Sequence, residues 1–177
     1  MPINSRAVFL ALLAVIVPMT GCDSAAKEQS TSEVAAPAPV LQPFKQEIAS
    51  ANAEVTLPGE WKYGYRLVDK ADTTYGAFRA IEFHYLPDST SKVPPRMLLV
   101  IRAFKKAHWE KISSSQEKVA TRLAANGDDV YAFSIVTTNP YPMNTAASLR
   151  VDAMMLALIA EGSPFKMTFN QGVSAPR

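Results

Sequence analysis

Thiol and imidazole groups are scarce in this chain, which has one cysteine and two histidines among its 177 residues. A lone cysteine cannot form a disulfide bridge within the chain, so the apolar core alone must hold the fold. A zinc site would require both His84 and His108, together with carboxylates, to meet in space. Because the two histidines stand on different predicted elements, we expect neither a metal site nor another cofactor.

Recognisable catalytic motifs are also absent. The sequence contains no Gly-x-Ser-x-Gly, no Walker phosphate loop, no dinucleotide-binding glycine pattern and no His-Glu-x-x-His. The chain also lacks a large excess of either charge, because its 18 basic residues are nearly balanced by 16 acidic residues. A nearly neutral chain has no general nucleic-acid footprint, so we expect no nucleic-acid partner.

The clearest positive signal lies at the N-terminus. An apolar run from Ala7 to Val17 follows the cationic Arg6 and is broken by Pro18. Spanning a membrane takes about 20 apolar residues. The run is therefore too short for a transmembrane helix, and residues 1–21 have the form of a secretory signal peptide.

The signal peptide ends in Thr20-Gly21-Cys22. This ending resembles the lipobox of bacterial lipoproteins. The resemblance implies that signal peptidase II cleaves before Cys22 and that its thiol carries lipid, which makes the mature protein a palmitate-bearing lipoprotein of the cell envelope. Asp23 resembles the signal that keeps lipoproteins of enteric bacteria in the inner membrane, although attachment to the outer membrane stays open. In either membrane the domain would face the periplasm.

Composition divides the rest of the chain into a tether and one domain. Residues 22–52 are rich in Ala, Ser, Gln, Glu and Pro, which predicts a disordered tether behind the lipidated cysteine. Residues 53–177 have the length and apolar content of a single periplasmic domain. Four apolar residues of the tether could instead dock onto that domain or form a short amphipathic turn: Val40, Leu41, Phe44 and Ile48.

Alternation of apolar and polar residues predicts several strands. The first runs from Trp61 to Leu67 with its aromatic residues towards the core, and the second covers residues 75–86. Residues 97–103 are apolar on both faces except for Arg102, which is typical of a central strand covered on both sides. Residues 165–169 alternate as a last strand at a sheet edge.

Two helices are predicted, at about 104–112 and about 144–160. For the longer helix, Asn144 or Thr145 can serve as N-cap, and Gly162 and Pro164 mark its end. A helix of this kind must bury a broad apolar face against the sheet. We expect the buried face to consist of an apolar stripe, Leu149, Ala153, Leu156 and Ala160, which is widened by Met154, Met155 and Leu158.

Residues 113–124 fit two structures. Ser114 and Glu117 have the spacing of a capping box, which would start a helix, whereas the residues that follow alternate as a strand would. The pair Asn126-Gly127 suits a tight turn and favours a hairpin whose second strand begins at Asp129. Together the elements predict an α+β fold, in which one long and one short helix pack on a mainly antiparallel sheet.

Carboxylates provide the candidates for chemistry. Glu82 and His84 share a strand face, where the carboxylate could orient the imidazole, but Glu82 could equally pair across strands with Lys62 or Arg66. Asp128 and Asp129 are adjacent, but they follow a turn, where Asp is common for conformational reasons.

Two surface features suggest binding. Tyr141 lies between Pro140 and Pro142, where it could be a rigid interface anchor or part of a turn into the long helix. A stretch with few acidic residues could meet anionic head groups or an acidic partner, or could be a solvated face. Its basic residues are Arg96, Arg102, Lys105, Lys106, Lys111, Lys118 and Arg122.

We therefore expect a lipid-anchored periplasmic domain without catalytic activity, which binds a protein or an envelope component. The membrane would be a partner through the lipid on Cys22. The alternative is a hydrolase that acts on cell wall or lipid through carboxylates such as Glu82 or Asp129.

Overall fold

The computed structural model describes residues 41–62, 64–87, 92–115 and 120–170. Within these ranges the chain forms eight strands and two helices. The strands are β1 (Phe44–Ile48), β2 (Ala53–Leu57), β3 (Tyr65–Lys70), β4 (Arg79–Tyr85), β5 (Arg96–Lys105), β6 (Thr121–Asn126), β7 (Asp129–Ile135) and β8 (Lys166–Phe169), and the helices are α1 (Lys106–Ser113) and α2 (Ala146–Ile159). The α+β class with mainly antiparallel sheets is confirmed.

Five strands form the larger sheet, in the order β3-β4-β5-β7-β6 and with every neighbouring pair antiparallel. The prediction that residues 97–103 lie in the central strand is confirmed. Leu98, Leu99, Val100 and Ile101 are all buried because both faces of β5 are covered at this point.

The remaining strands form a second sheet in the order β1-β2-β8. The predicted position of residues 165–169 at an edge is confirmed, since β8 pairs with β2 alone in this sheet. Both sheets and α2 contribute to one apolar core, in which Val55 of β2 and Phe83 of β4 are fully buried.

Strand β1 lies inside the segment for which composition predicts a disordered tether up to residue 52. It alternates inward and outward, with Ile48 buried and Lys45 and Glu47 exposed, and it pairs with β2 along its whole length. Phe44 stacks on Tyr65, whose hydroxyl donates to Gln46 Oε1 over 2.7 Å. The domain therefore includes residues before position 53, and Phe44 and Ile48 dock onto it, as the alternative interpretation of this segment proposed.

The strand predicted from Trp61 to Leu67 is partly wrong. Trp61 belongs to a 3-10 turn, Gly59–Trp61, and β3 starts only at Tyr65. The indole of Trp61 is fully buried and its Nε1–H donates to the carbonyl of Met154 over 2.8 Å. An aromatic residue can thus enter the core from a turn as readily as from a strand.

The hairpin interpretation of the ambiguous region is confirmed for the described residues. Strands β6 and β7 pair antiparallel with Asn126 opposite Asp129, which leaves Gly127 and Asp128 as the turn. Gly127 has a φ of +56°, a conformation that glycine adopts without strain. The short helix α1 ends at Ser113, and residues 116–119 lie outside the described ranges.

The ends of α2 agree with prediction. Thr145 is the N-cap, because its Oγ1 accepts from the N–H of Ser148 over 3.1 Å, and Gly162 has a φ of +75° beyond the C-terminus. Its predicted buried face is partly wrong, because Met154 and Leu158 of that face are buried but its central stripe is not. The core contacts are made by Val151, Met154 and Leu158, whereas Leu149 and Leu156 of the predicted stripe face outward.

Candidate functional site

The outward side of α2 is apolar and uncovered by the described residues. Leu149 and Leu156 are 61% and 63% exposed. Ala153, which lies between the two leucines, and Ala160, which follows them, are exposed as well. We call these four residues, of which Ala160 is the C-cap that follows the last helical residue, the outer face of α2. Met143 and Ile159 extend it, with 87% and 60% of their area exposed. Isolated surface leucines are common, whereas a contiguous exposed apolar stripe is a candidate interaction site.

Polar contacts hold α2 firmly in place. Besides the bond from Trp61, the side-chain amide of Asn139 donates to the Ser148 carbonyl and to Asp152 Oδ1, both over 2.8 Å. The guanidinium of Arg150 donates to the carbonyl of Lys62 over 3.2 Å. Arg150 and Asp152 are the charged residues of Ala146–Ile159, and both are thus engaged beside the outer face. The outer face is presented on a fixed helix, which lowers the entropic cost of binding.

A second candidate is a cleft of about 240 Å³ on the other side of the five-stranded sheet. Val100 forms its buried floor, and Arg102 and Tyr75 stand at its rim. The Arg102 guanidinium lies 5.9 Å from the centre of the Tyr75 ring. The residues that line the cleft are Thr74, Tyr75, Met97, Val100, Arg102, Ser134, Ile135 and Val136.

The loop that carries Tyr75 is pinned from two sides. Asp72 Oδ1 accepts from the backbone N–H and the hydroxyl of Thr74, and Asp72 Oδ2 accepts from Arg102 Nε over 2.8 Å. On the other side, His108 Nε2 lies 2.8 Å from the Tyr75 carbonyl oxygen. Tyr75 is held at a φ of +55°, which is uncommon for a bulky residue. The residue is 56% exposed, so the loop presents an aromatic side chain beside the cleft.

The carboxylate of Asp72 is strongly stabilised in its charged form. Burial acts to raise its pKa, but the hydrogen bonds from Thr74 and the hydrogen bond and charge of Arg102 outweigh burial and hold the pKa at about 2. Because Asp72 and Arg102 neutralise each other, the cleft offers an apolar floor and an aromatic ring rather than a net charge.

Glu82 and His84 do contact each other, with 2.9 Å between Glu82 Oε2 and His84 Nε2. Glu82 also forms the expected cross-strand ion pair, but its partner is Lys70, at 2.8 Å, rather than Lys62 or Arg66. Burial acts to raise the pKa of Glu82, and the hydrogen bonds and charges of Lys70 and His84 more than offset it, so the pKa is lowered. Glu82 is therefore held as an anion and is unsuited to donate a proton near neutral pH.

Asp129 lies far from this cluster. It forms an ion pair with Lys105 over 2.6 Å, opposite it on β5, whereas Glu82 lies opposite Val100. Val100 and Lys105 are separated by about 17 Å of extended strand. Paired carboxylates of glycosidases stand about 5–9.5 Å apart, so Glu82 and Asp129 cannot act as such a pair.

Among the described residues of the stretch 96–122, the basic side chains do not form one patch, and Lys118 lies outside the described ranges. Arg96 and Lys105 are the two ends of β5, about 30 Å apart. Arg102 is engaged by Asp72, and Lys105 by Asp129. Lys106 and Lys111 are exposed on α1, but Lys106 lines a shallow cavity together with Glu110 and Asp128, which gives that surface mixed charge.

Tyr141 is not an exposed anchor, which corrects the sequence-based expectation. The residue is 5% exposed, its ring packs edge-on against Tyr85 at 5.4 Å, and its hydroxyl donates to the Pro94 carbonyl over 3.1 Å. Burial raises the pKa of its phenol. The groups that surround the ring, Tyr85 and the Pro94 carbonyl, come from distant parts of the chain. The local pattern of two flanking prolines therefore could not reveal that Tyr141 is buried.

Other predicted features fall outside what the structure describes or give no site within it. Cys22 and Asp23 lie outside the described residues. Within the described ranges, neither helix is long and apolar enough to cross a membrane. The same residues contain no group of three or more His, Cys, Asp or Glu side chains placed to hold a metal ion.

Comparisons of the chain with family models, with curated proteins and with solved structures gave no match.

Proposed function

We propose that this chain is a lipid-anchored periplasmic binding protein without catalytic activity, and that it binds a protein component of the envelope through the outer face of α2. The observation that carries the proposal is the exposed stripe of Leu149, Ala153, Leu156 and Ala160. A helix that is apolar on nearly all sides is normally covered on all sides.

The chemistry of the face favours a protein partner. It contains no charged side chain, and the neighbouring Arg150 and Asp152 are already engaged by Lys62 and Asn139. A partner with an apolar helix or groove would therefore cover the leucines without leaving a charge buried and unpaired. Nucleic acid and anionic head groups would find no cluster of basic residues here.

The alternative, a hydrolase that uses Glu82 or Asp129, has less support. Glu82 is held as an anion by Lys70 and His84, and Asp129 is paired with Lys105. The two carboxylates lie opposite positions of β5 that are about 17 Å apart along the strand. General acid catalysis requires a carboxyl group that keeps its proton near the working pH. Neither the lowered pKa of Glu82 nor that of Asp72 suits this role.

The anchor rests on the sequence, through Thr20-Gly21-Cys22 after the apolar run. Replacement of Cys22 by Ser should leave an unprocessed precursor and stop the incorporation of labelled palmitate. Normal labelling of Cys22→Ser would refute lipidation at this residue. Fractionation of the wild-type protein tests Asp23 separately, because recovery in the outer membrane would refute inner-membrane retention.

Binding through α2 is tested with a photo-activated cross-linking residue placed at Leu156 in the full-length, membrane-attached protein. We expect a discrete protein adduct from this position. The same residue placed at Leu86, a leucine 38% exposed and outside α2, is the matched control. Equal adduct patterns from both positions, or none from Leu156, would refute the proposal.

A further inference from the structure

The outer face of α2 has the spacing of a helix-pairing seam. Its residues follow each other at intervals of four, three and four positions, from Leu149 through Ala153 and Leu156 to Ala160. Intervals of this kind define the seam of a coiled coil, where the side chains of one helix fit between those of another. Large and small residues alternate along the seam, which makes its shape a series of ridges and gaps.

This alternation makes the seam complementary to itself when two copies run antiparallel. With the two-fold axis between residues 154 and 155, Leu149 of one copy faces Ala160 of the other, and Ala153 faces Leu156. Every leucine then lies over an alanine, which permits close packing of the two helices. A parallel pair in register would instead place leucine on leucine and alanine on alanine.

We infer that the partner of the outer face of α2 is a second copy of this chain, paired antiparallel through Leu149, Ala153, Leu156 and Ala160. The inference rests on the proposed function, since it specifies the partner of the same face. A two-fold contact of this kind is isologous and closes on itself, so it gives a dimer and not a fibre.

The size of the seam sets how strong the contact can be. A helix of 14 residues is about 21 Å long, and one face of it supplies less than the roughly 800 Å² per partner of a standard interface. The dimer is therefore weak in free solution. Attachment of both copies to one membrane raises their effective concentration and favours pairing.

Charges do not oppose the contact. Arg150 and Asp152 lie on the two flanks of the seam, and each already has a partner in its own copy, the Lys62 carbonyl and the Asn139 amide. Pairing through the seam would bury methyl and isobutyl groups, whose removal from water is favourable.

Cysteine cross-linking of the full-length protein in its membrane tests the arrangement. Two differently tagged copies are co-expressed, one with Leu149→Cys and the other with Ala160→Cys, and mild oxidation follows. We expect a disulfide-linked heterodimer from this combination. Two Leu149→Cys copies should not cross-link, because residues 149 of an antiparallel pair are about 16 Å apart along the helix axis. Wild-type chains, whose single cysteine is Cys22, are the control for any disulfide formed through that residue.

The outcomes separate the inference from the proposed function. Cross-linking of Leu149→Cys to itself without the mixed product would overturn the antiparallel pair. A photo-adduct from Leu156 with a different protein, and no product of two copies, would overturn the second copy as partner while leaving the proposed function in place. No adduct of any kind from Leu156 would remove both.

A second measurement tests the close packing of the seam. Ala153→Leu adds apolar surface, so a non-specific apolar contact would become stronger, whereas a seam that needs leucine over alanine would become at least tenfold weaker. The yield of the mixed Leu149→Cys and Ala160→Cys product in the membrane, with and without each further substitution, measures how strongly the two copies pair. We expect Leu156→Glu to abolish dimerisation and the matched control Leu86→Glu to leave it unchanged. A tighter dimer with Ala153→Leu would overturn the arrangement.

Discussion

Tyr141 is a core residue whose phenol ring and hydroxyl both have partners. Its ring contacts Tyr85, its hydroxyl donates to the Pro94 carbonyl, and its N–H donates to Asn139 Oδ1 over 3.0 Å. These contacts tie the segment before α2 to β4 and to the segment before β5. Stability, not binding, is therefore the property that depends on this side chain.

We predict that Tyr141→Ala lowers the free energy of unfolding by about 3–5 kcal/mol, as truncation of a buried aromatic residue does. Tyr141→Phe removes only the hydroxyl and should cost about 1 kcal/mol. Urea unfolding of the two variants measures both effects. Tyr75→Ala, at an exposed tyrosine, is the control, and an equal loss in Tyr75→Ala and Tyr141→Ala would contradict the assignment.

The ion pair of Asp72 and Arg102 predicts how stability depends on pH. The pKa of Asp72 is about 2 in the folded chain against an ordinary 3.8, so the unfolded chain takes up a proton at higher pH than the folded chain. The contribution of Asp72 is therefore fully present above pH 4 and is lost as the pH falls from about 4 to about 2. After allowance for solvent screening it amounts to about 1 kcal/mol.

Asp72→Asn should be less stable than the wild type at pH 7 and should lose less stability between pH 4 and pH 2. Thermal unfolding at several pH values measures the difference. Glu161→Gln, which changes an exposed carboxylate, is the control and should keep the wild-type slope. A slope unchanged by Asp72→Asn would show that the pair with Arg102 does not govern acid sensitivity.

Among the elements, α2 has two apolar sides with different roles. Val151, Met154 and Leu158 face the core, while Leu149 and Leu156 face outward. We predict that Met154→Ala costs about 2–5 kcal/mol. Leu156→Ala should change stability by no more than about 0.5 kcal/mol, because the side chain is exposed and alanine favours helix. Chemical unfolding of this pair within one helix measures the contrast, and a larger loss for Leu156→Ala would reverse the assigned faces.

The same helix shows what the sequence could and could not predict. Its ends follow from local signals, Thr145 as cap and Gly162 beyond the last turn. Its buried face does not, because apolar residues occupy nearly the whole circumference, and periodicity alone cannot select one of two apolar stripes. Strand β5 was predictable because it is apolar on both faces, whereas Tyr141 was not, since its partners Tyr85 and Pro94 are distant in sequence.

At the scale of the whole domain, the two candidate surfaces lie on opposite sides of the larger sheet. Alternation along β5 turns Leu99 and Ile101 towards the core that contains Met154 of α2, and turns Val100 and Arg102 towards the cleft. A partner on the outer face of α2 would therefore leave the cleft beside Tyr75 open. The dimer and a ligand in the cleft are thus compatible in space.

The domain also depends on β1, although composition assigns its sequence to the tether. Ile48 is buried, Phe44 packs on Tyr65, and the backbone of β1 pairs with β2. Removal of a fully buried large apolar side chain costs about 1.5–3 kcal/mol in burial alone. Without β1, moreover, β2 would become an unprotected edge strand, which favours aggregation.

We predict that a chain beginning at Leu41 unfolds cooperatively in urea, whereas a chain beginning at Ala53 is less stable by at least about 3 kcal/mol or aggregates. Ile48→Ala in the full-length chain provides a milder test and should cost about 2–5 kcal/mol. Lys45→Ala, at an exposed position of the same strand, is the control and should cost little even though it removes the ion pair with Glu54. Equal urea midpoints for the chains that begin at Leu41 and Ala53 would show that the domain starts after β1, because only a strand that contributes to the core can lower stability when it is removed.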